Sequence, residues 1–298
     1  METIKTIKEI KKLKKNKIIC ENVTVENSEI IFEGENNVLF CEPNVKIKNS
    51  TIKFGANNAL IYLSSNNDCY LINAYIHNNS VLYFGDNNYM NNNLTLVLSE
   101  EQNIIIGNDC LFSYGITFRT ADPHLIYDYK TKKRTNPSKS IYIGDHVWVG
   151  QNALILKGTK AGSGSIIAAG AISGNKEIPS NEVWGGNPIK KMKENICWSR
   201  ECVHKWTKKT AKEYSTLKTD EYYYKTVKEN QQINNLEKAL NNEKEANKKI
   251  DIIVEKIKKG KRDLFSIKNP NRIYKKIKSN KLLKKIVKKL KSIIKLKK

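Results

Sequence analysis

Between Ile141 and Pro188 an apolar or small residue returns at every sixth position: Ile143, Val149, Ile155, Ala161, Ile167 and Ser173. Glycine often follows it, as Gly144, Gly150, Gly162 and Gly174. A second small or β-branched residue stands two places earlier, at Ile141, Val147, Ala153, Thr159, Ser165 and Ala171. A period of six matches neither the 3.6 of a helix nor the alternation of a plain strand. It matches a short strand plus a turn, repeated, as in a parallel β-helix. The sixth-position residue then points inward, and glycine takes the corner, where positive φ or close backbone approach penalises a Cβ. One hexad cannot bury its apolar residue alone. Stacked coils bury a continuous column and pair each rung with the rungs above and below.

Residues 104–188 read as the regular part of this solenoid, with Ile106-Gly107, Phe112 and Phe118 carrying the phase in. Residues 18–103 read as degenerate, Asn-rich coils of the same kind. Phe32-Glu-Gly-Glu-Asn-Asn, Phe54-Gly-Ala-Asn-Asn and Phe84-Gly-Asp-Asn-Asn repeat one turn signal, and Asn is the non-glycine residue most tolerant of left-handed conformation. Residues 1–17 set Ile4, Ile7, Ile10 and Leu13 at helical spacing among lysines. They predict a basic amphipathic helix laid over the open end of the solenoid, where strand edges would otherwise stand unpaired.

After Pro188 the hexads stop. Residues 189–262 predict an α-helical extension, with Trp198, Cys202 and Trp206 as a stripe able to pack on the solenoid. Ile233, Leu236, Leu240, Ile250, Val254 and Ile257 form a seam broken by Glu243 and Asn247. It fits a short coiled coil or an ordinary amphipathic helix equally. Residues 263–298 form a basic tail with Ile277, Leu283, Ile286, Leu290 and Ile293 on one face. Two readings stand for residues 270–298: a helix lying in an anionic membrane surface, or a solvated tail.

The net charge of +23 has the sign of a nucleic-acid binder, but its excess sits in the first seventeen residues and beyond Ile189. Anionic lipid, nucleic acid and an anionic glycan all suit such ends. No aromatic stacking platform or nucleic-acid motif accompanies them, so no nucleic-acid partner is expected. A non-enzymatic solenoid that binds nucleic acid or membrane through its tail is the competing class. No apolar run has the length of a membrane span, and the lysine-rich start lacks the apolar block of a signal peptide. The expected place is the cytoplasm, with the tail permitting a peripheral position on the inner face of the cytoplasmic membrane. The six cysteines show neither paired spacing nor a ligand set at Cys197 and Cys202, so they are expected reduced and free of metal.

Between Phe118 and Ile143 the period breaks. A long excursion from a regular scaffold is where function concentrates, and His124 lies in this one. His146 reads as an outward coil residue, and His77 and His204 carry no motif.

Three stretches carry a resemblance: Arg119-Thr-Ala-Asp-Pro-His-Leu-Ile-Tyr-Asp128, Ile143-Gly-Asp-His-Val-Trp-Val-Gly-Gln-Asn152, and Ile178-Pro-Ser-Asn-Glu-Val-Trp-Gly-Gly-Asn-Pro188. From Cys20 to about Lys193 the chain resembles the hexapeptide-repeat O-acetyltransferases, and within them the bacterial sialate and polysialic acid O-acetyltransferases. The resemblance implies a left-handed parallel β-helix, mainly β with the C-terminal helices outside it. It also implies a homotrimer whose cleft between neighbouring subunits holds acetyl-CoA and a sialylated glycan acceptor. His124 matches the catalytic histidine, a general base, a role suited to the imidazole side chain. Trp148 matches the tryptophan lining the acceptor and thioester channel. Gln151 and Ala169 match positions along the pantetheine arm, and Gly162 is grouped with them as cofactor-binding. Lys176 and Lys190 match basic positions near the coenzyme phosphates, though an extra residue in Ser173-Gly-Asn-Lys176 shifts the register there. Trp184 either packs near the adenine or closes the last coil. Asp122 either orients His124 or caps the turn before Pro123. Arg119, Asp122 and Tyr127 are assigned to the acceptor; Arg119, Lys132, Lys133 and Arg134 either meet its carboxylate or form a solvated loop. The chemistry requires no metal. The implied function is acetyl transfer to a sialic acid hydroxyl of a lipooligosaccharide or capsule, directly within a ternary complex. The alternative is O- or N-acetylation of another surface sugar.

Overall fold

A computed structural model describes residues 1–219, 222–226, 231–259 and 266–267. The basic segment 270–298 lies outside the described residues. The strands stack into three faces of a prism. Face I runs from Glu2–Ile4 through Glu29–Phe32, Thr51–Phe54, Ile72–Ile76, Leu94–Leu98, Thr117–Arg119 and Leu154–Leu156 to Ile172–Ser173. Face II runs from Lys17–Ile19 through Val38–Cys41, Leu60–Leu63, Val81–Phe84, Ile104–Ile106, Ile141–Ile143 and Lys160–Ala161 to Glu177–Ile178. Face III is in two pieces: Thr24–Glu26 with Lys46–Lys48, then Tyr89–Met90, Leu111–Phe112, Trp148–Val149, Ile166–Ile167 and Val183–Gly185. The rungs pair in parallel; two antiparallel strands, Glu2–Ile4 and Lys190–Lys193, finish the ends of faces I and III.

The period-six residues are the core. Ile143, Val149, Ile155, Ala161, Ile167 and Ser173 are all buried, and so are the residues two places before them. Close approach explains the glycines of this run. A Cβ on Gly150 would stand 2.5 Å from the Ala169 nitrogen, and one on Gly162 2.5 Å from the Ser180 nitrogen. Stacked residues are 22 apart in the leading coils, 37 apart across the excursion and 18 apart after it. The last coil is a residue shorter still, with Lys160 and Glu177 paired 17 apart. The run Ser173-Gly-Asn-Lys176 therefore shortens its coil, where the sequence suggested an extra residue.

The Asn-rich turns take left-handed φ: 58° at Asn36, 60° at Asn58 and 57° at Asn87. The three phenylalanines of that repeat are not equivalent, however. Phe32 and Phe54 are in register on face I, with ring centroids 4.7 Å apart. Phe84 stands on face II between Leu63 and Ile106. Two different corners demand the same turn, so the same turn signal marks both.

The expected N-terminal helix is instead a strand and a single 3-10 segment, Ile7–Lys12. Face I begins with an unpaired edge, and Glu2–Ile4 satisfies it while burying Ile4 completely. The Glu2 carboxylate accepts the Lys14 N–H at 2.7 Å and the Asn16 amide at 2.8 Å, which closes the cap.

Beyond the solenoid, three helices are described: α1 (Lys208–Glu213), α2 (Gln231–Asn242) and α3 (Ala246–Ile253). The stripe Trp198, Cys202, Trp206 does not form on a helix. Val203–Lys205 is one 3-10 turn; Trp198 is buried, Cys202 is exposed, and Trp206 packs on Tyr214. The seam Ile233, Leu236, Leu240, Ile250 and Val254 docks on face II and makes no coiled coil. Face II is apolar outside as well as inside: Val38, Phe40, Leu60, Tyr62, Val81, Tyr83, Ile105 and Tyr142 point away from the prism and are buried by α2 and α3. Lys258 fastens this layer, bonding Glu42 at 3.0 Å and Asp86 at 2.7 Å. All six cysteines are free thiols.

Candidate active site

The excursion leaves the prism where face I ends at Arg119 and returns where face II begins at Ile141. Thr120 anchors its departure: its N–H donates to the Val97 carbonyl and its hydroxyl accepts the Ser99 N–H at 2.9 Å. The tip is a hairpin. The Thr135 N–H donates to the Ile126 carbonyl at 2.8 Å, and the Asp128 N–H to the Lys133 carbonyl at 2.9 Å. The Asp128 carboxylate accepts the Thr131 N–H and hydroxyl, fixing the turn in which Lys132 takes a φ of 57°. Leu125, Ile126, Tyr127 and Tyr129 on this hairpin are exposed.

His124 sits at the base of the hairpin with its side chain exposed. The backbone around it is held by the buried Asn136. The Asn136 amide donates to the His124 carbonyl at 2.8 Å and to the Asp122 carboxylate at 3.2 Å, while its oxygen accepts the Ile126 N–H at 2.9 Å. Lys157 donates to Asp122 at 2.6 Å and to the Asn136 carbonyl at 3.1 Å. The Lys157 ammonium, helped by Asn136, lowers the Asp122 carboxyl below its ordinary range. A second brace is the fork of Arg134 on Glu100, joined by Ser138; these bonds lower the Glu100 carboxyl to about 2.

Asp122 thus neither orients the His124 ring nor caps the turn before Pro123. Among the described residues its carboxylate bonds Lys157 and Asn136, not the His124 ring or a neighbouring backbone N–H. Arg119 is half-buried on face I beside Leu156, and Tyr127 is exposed opposite Arg134 in the hairpin. Lys176 is exposed at the same edge as the excursion, next to Asn175, whose side chain accepts a bond from Lys139.

The remaining candidates lie elsewhere on the prism. Trp148 is on face III and 38% exposed. Gln151 and Ala169 share the corner between faces III and I, where the Gly170 N–H donates to the Gln151 carbonyl at 2.7 Å. Gly162 is buried at the corner between faces II and III. Trp184 follows Val149 and Ile167 on an inward column, packs on the core and donates to Glu182 at 2.6 Å, so it closes the last coil. Lys190 is exposed on the final antiparallel strand. One copy of the chain therefore gathers His124, Asp122, Arg119, Tyr127 and Lys176 on one edge, and carries Trp148, Gln151 and Ala169 on another.

His146 departs from the outward coil residue expected. Its ring leaves the corner but is fully buried, with a φ of 55°. Nδ1 lies 2.6 Å from Asp109 and Nε2 3.0 Å from the Trp198 carbonyl. The ring stacks on Trp198 at 3.9 Å and on Tyr222 at 4.5 Å. Such an imidazole has no free nitrogen and no path to a substrate.

Sequence reasoning missed Asn136, Lys157 and Glu100. Asn136-Pro137, standing just where the hexad phase returns, was the available signal. Lys157 and Glu100 carry none. Among the described residues no three His, Cys, Asp or Glu side chains converge as a metal set, and no helix is long and apolar enough to cross a membrane.

No family model matches the chain. Over 171 residues it is 30% identical to the polysialic acid O-acetyltransferase of Neisseria meningitidis, a match spanning 57% of this chain and 79% of that protein. A shorter match, 38% over 104 residues, joins it to the polysialic acid O-acetyltransferase of Escherichia coli O1:K1 / APEC, covering 35% of this chain and 34% of that one. Among solved structures it is similar to the polySia-specific acetyltransferase NeuO, with a TM-score of 0.56 and 30% identity over 70% of this chain and 90% of that chain.

Proposed function

We infer the activity from one premise: the chain belongs to the hexapeptide-repeat O-acetyltransferases. It transfers an acetyl group from acetyl-CoA to a hydroxyl of a sialic acid in a bacterial surface glycan, a lipooligosaccharide or a capsule. The observation that carries this reading is the exposed His124 on a braced excursion from an otherwise regular solenoid. The relatives that act on polysialic acid support the acceptor class.

His124 acts as general base within a ternary complex. An alcohol is a weak nucleophile at neutral pH, and a positioned imidazole contributes about 10²–10⁴ in rate. The imidazole takes the sugar hydroxyl proton as the oxygen adds to the thioester carbonyl. The C–S bond then breaks, and the proton passes from the imidazolium to the departing thiolate. Backbone N–H groups near the coil corners stabilise the oxyanion. The separation of the two edges supports a homotrimer: the His124 edge of one copy faces the Trp148, Gln151 and Ala169 side of the next. Trp148 then walls the thioester channel, and Lys190 and Lys176 offer point charges to the coenzyme phosphates. The enzyme works in the cytoplasm, where acetyl-CoA is made, with the lysine-rich end holding it against anionic membrane.

Purified enzyme with acetyl-CoA and polysialic acid should release CoA thiol and give a product heavier by one acetyl per modification. Mild alkali should remove that mass, because esters cleave and amides persist. Turnover with neutral sugars or amino sugars but with no sialoside would overturn the acceptor assignment.

A further inference from the structure

We propose that Asn136 is the positioning residue of the general base. This rests on His124 being that base. Asn136 is twelve residues from His124 in sequence and 6% exposed. Its carboxamide is committed on both sides: the nitrogen donates to the His124 carbonyl at 2.8 Å and the oxygen accepts the Ile126 N–H at 2.9 Å. A carbonyl and an N–H two residues apart bracket Leu125, so one planar group fixes the stretch of backbone from which the imidazole hangs.

The residue type is dictated by these partners. A carboxamide offers an acceptor and two donors in one plane. Aspartate keeps the acceptor but loses both donors, and it would set a second carboxylate beside Asp122. Glutamine carries the same group a methylene too far. Serine or alanine leaves the His124 carbonyl and the Ile126 N–H without this partner. Lys157 then orients the anchor, holding the Asn136 backbone carbonyl at 3.1 Å and Asp122 at 2.6 Å. Asp122 in turn accepts the second Asn136 proton at 3.2 Å. The charged residues near the histidine thus act on its loop, and the ring stays free for substrate.

Misplacing a base by about 1 Å can cost on the order of 10²-fold in rate. Steady-state kinetics on full-length enzyme with acetyl-CoA and polysialic acid test the assignment. Asn136→Ala should lower kcat about 10- to 100-fold, with the KM for acetyl-CoA within about twofold of wild type. In a His124→Ala background the same change should cost less than about twofold more, because residues acting through one group are not additive. Asn136→Asp, close in volume, should lose kcat in the same range if the alanine variant does not fold. A kcat within twofold of wild type for both variants would overturn the proposal. So would an equal loss in the His124→Ala background. A His124→Ala enzyme that keeps the wild-type rate would instead overturn the base assignment itself, so the two failures are told apart.

Discussion

His146 and Trp198 hold each other twice: the Trp198 indole N–H donates to the His146 carbonyl at 3.0 Å, and His146 Nε2 lies 3.0 Å from the Trp198 carbonyl. With the rings stacked at 3.9 Å, this pair seals the start of the C-terminal extension to a corner of the solenoid. Arg200 adds to the seal, 3.0 Å from the same Asp109 that holds Nδ1. His146→Ala should therefore lower stability by about 1–3 kcal/mol, removing the ring stack and leaving the Trp198 carbonyl without this partner. Differential scanning calorimetry reads that loss. Turnover should stay within a few-fold of wild type; a rate collapse at unchanged Tm would give His146 a chemical role.

Glycines of the regular coils should differ according to what surrounds them. Gly150→Ala drives a Cβ into backbone of the next coil and should cost about 1–3 kcal/mol or prevent folding. Gly170→Ala meets open space, with nothing within 4 Å, and pays for its φ of 68° alone. That left-handed cost is about 1–2 kcal/mol. Urea titrations of the two variants should rank Gly150→Ala as the more damaging. The reverse order would mean the corners, not the stacking distance, limit the solenoid.

Leu236 is fully buried between α2 and the outer side of face II. Leu236→Ala should cost about 2–5 kcal/mol. Leu236→Asp should release the helices and uncover Phe40, Tyr62, Tyr83 and Tyr142, seen as a rise in dye binding to exposed apolar surface. Unchanged dye binding would show that this layer does not depend on the α2 contact.

Lys249 is buried in α3 with its ammonium on the Asn79 carbonyl, and burial lowers it from 10.5 to about 8. Between those values the unfolded chain binds the proton that the folded chain has lost. Lys249 by itself therefore adds stability as pH increases from about 8 toward 10, by up to about 1.4 kcal/mol per pH unit. Burial opposes it by holding the Cys20, Cys41 and Cys110 thiols protonated in the folded state above about 9, and the Tyr62, Tyr70 and Tyr142 hydroxyls above about 10. Lys249→Met should remove this upward contribution, so that stability between about pH 8 and 10 changes less favourably with pH than in wild type, as read from chemical denaturation curves. An identical slope in the mutant would assign the effect to other groups.

The solenoid was legible because a period of six leaves little else for Ile143, Val149 and Ile155 to do, and the family resemblance through His124 and Trp148 named its chemistry. The ends were harder to read. Ile4, Ile7 and Ile10 have helical spacing, but pairing with the free edge of face I outweighs the propensity of so short a segment. The helix seam at Leu236 and Ile250 was visible, while its partner was not: Phe40, Tyr62 and Tyr83 look like ordinary strand residues until both sides of face II are seen to be covered. The braces of the excursion were hidden for another reason. Lys157 reaches Asn136 across 21 residues and Asp122 across 35, and Glu100 reaches Arg134 across 34; these contacts form only once the coils stack, and local sequence says nothing of such neighbours.

The most direct test of the whole account is the transfer rate of His124→Ala on polysialic acid with saturating acetyl-CoA, alongside its thermal transition. The account predicts a kcat lower by about 10²–10⁴ with the transition unmoved, since the residue is exposed and, among the described residues, its ring bonds nothing that stabilises the loop. A variant that folds as the wild type does and turns over within tenfold of its rate would contradict it.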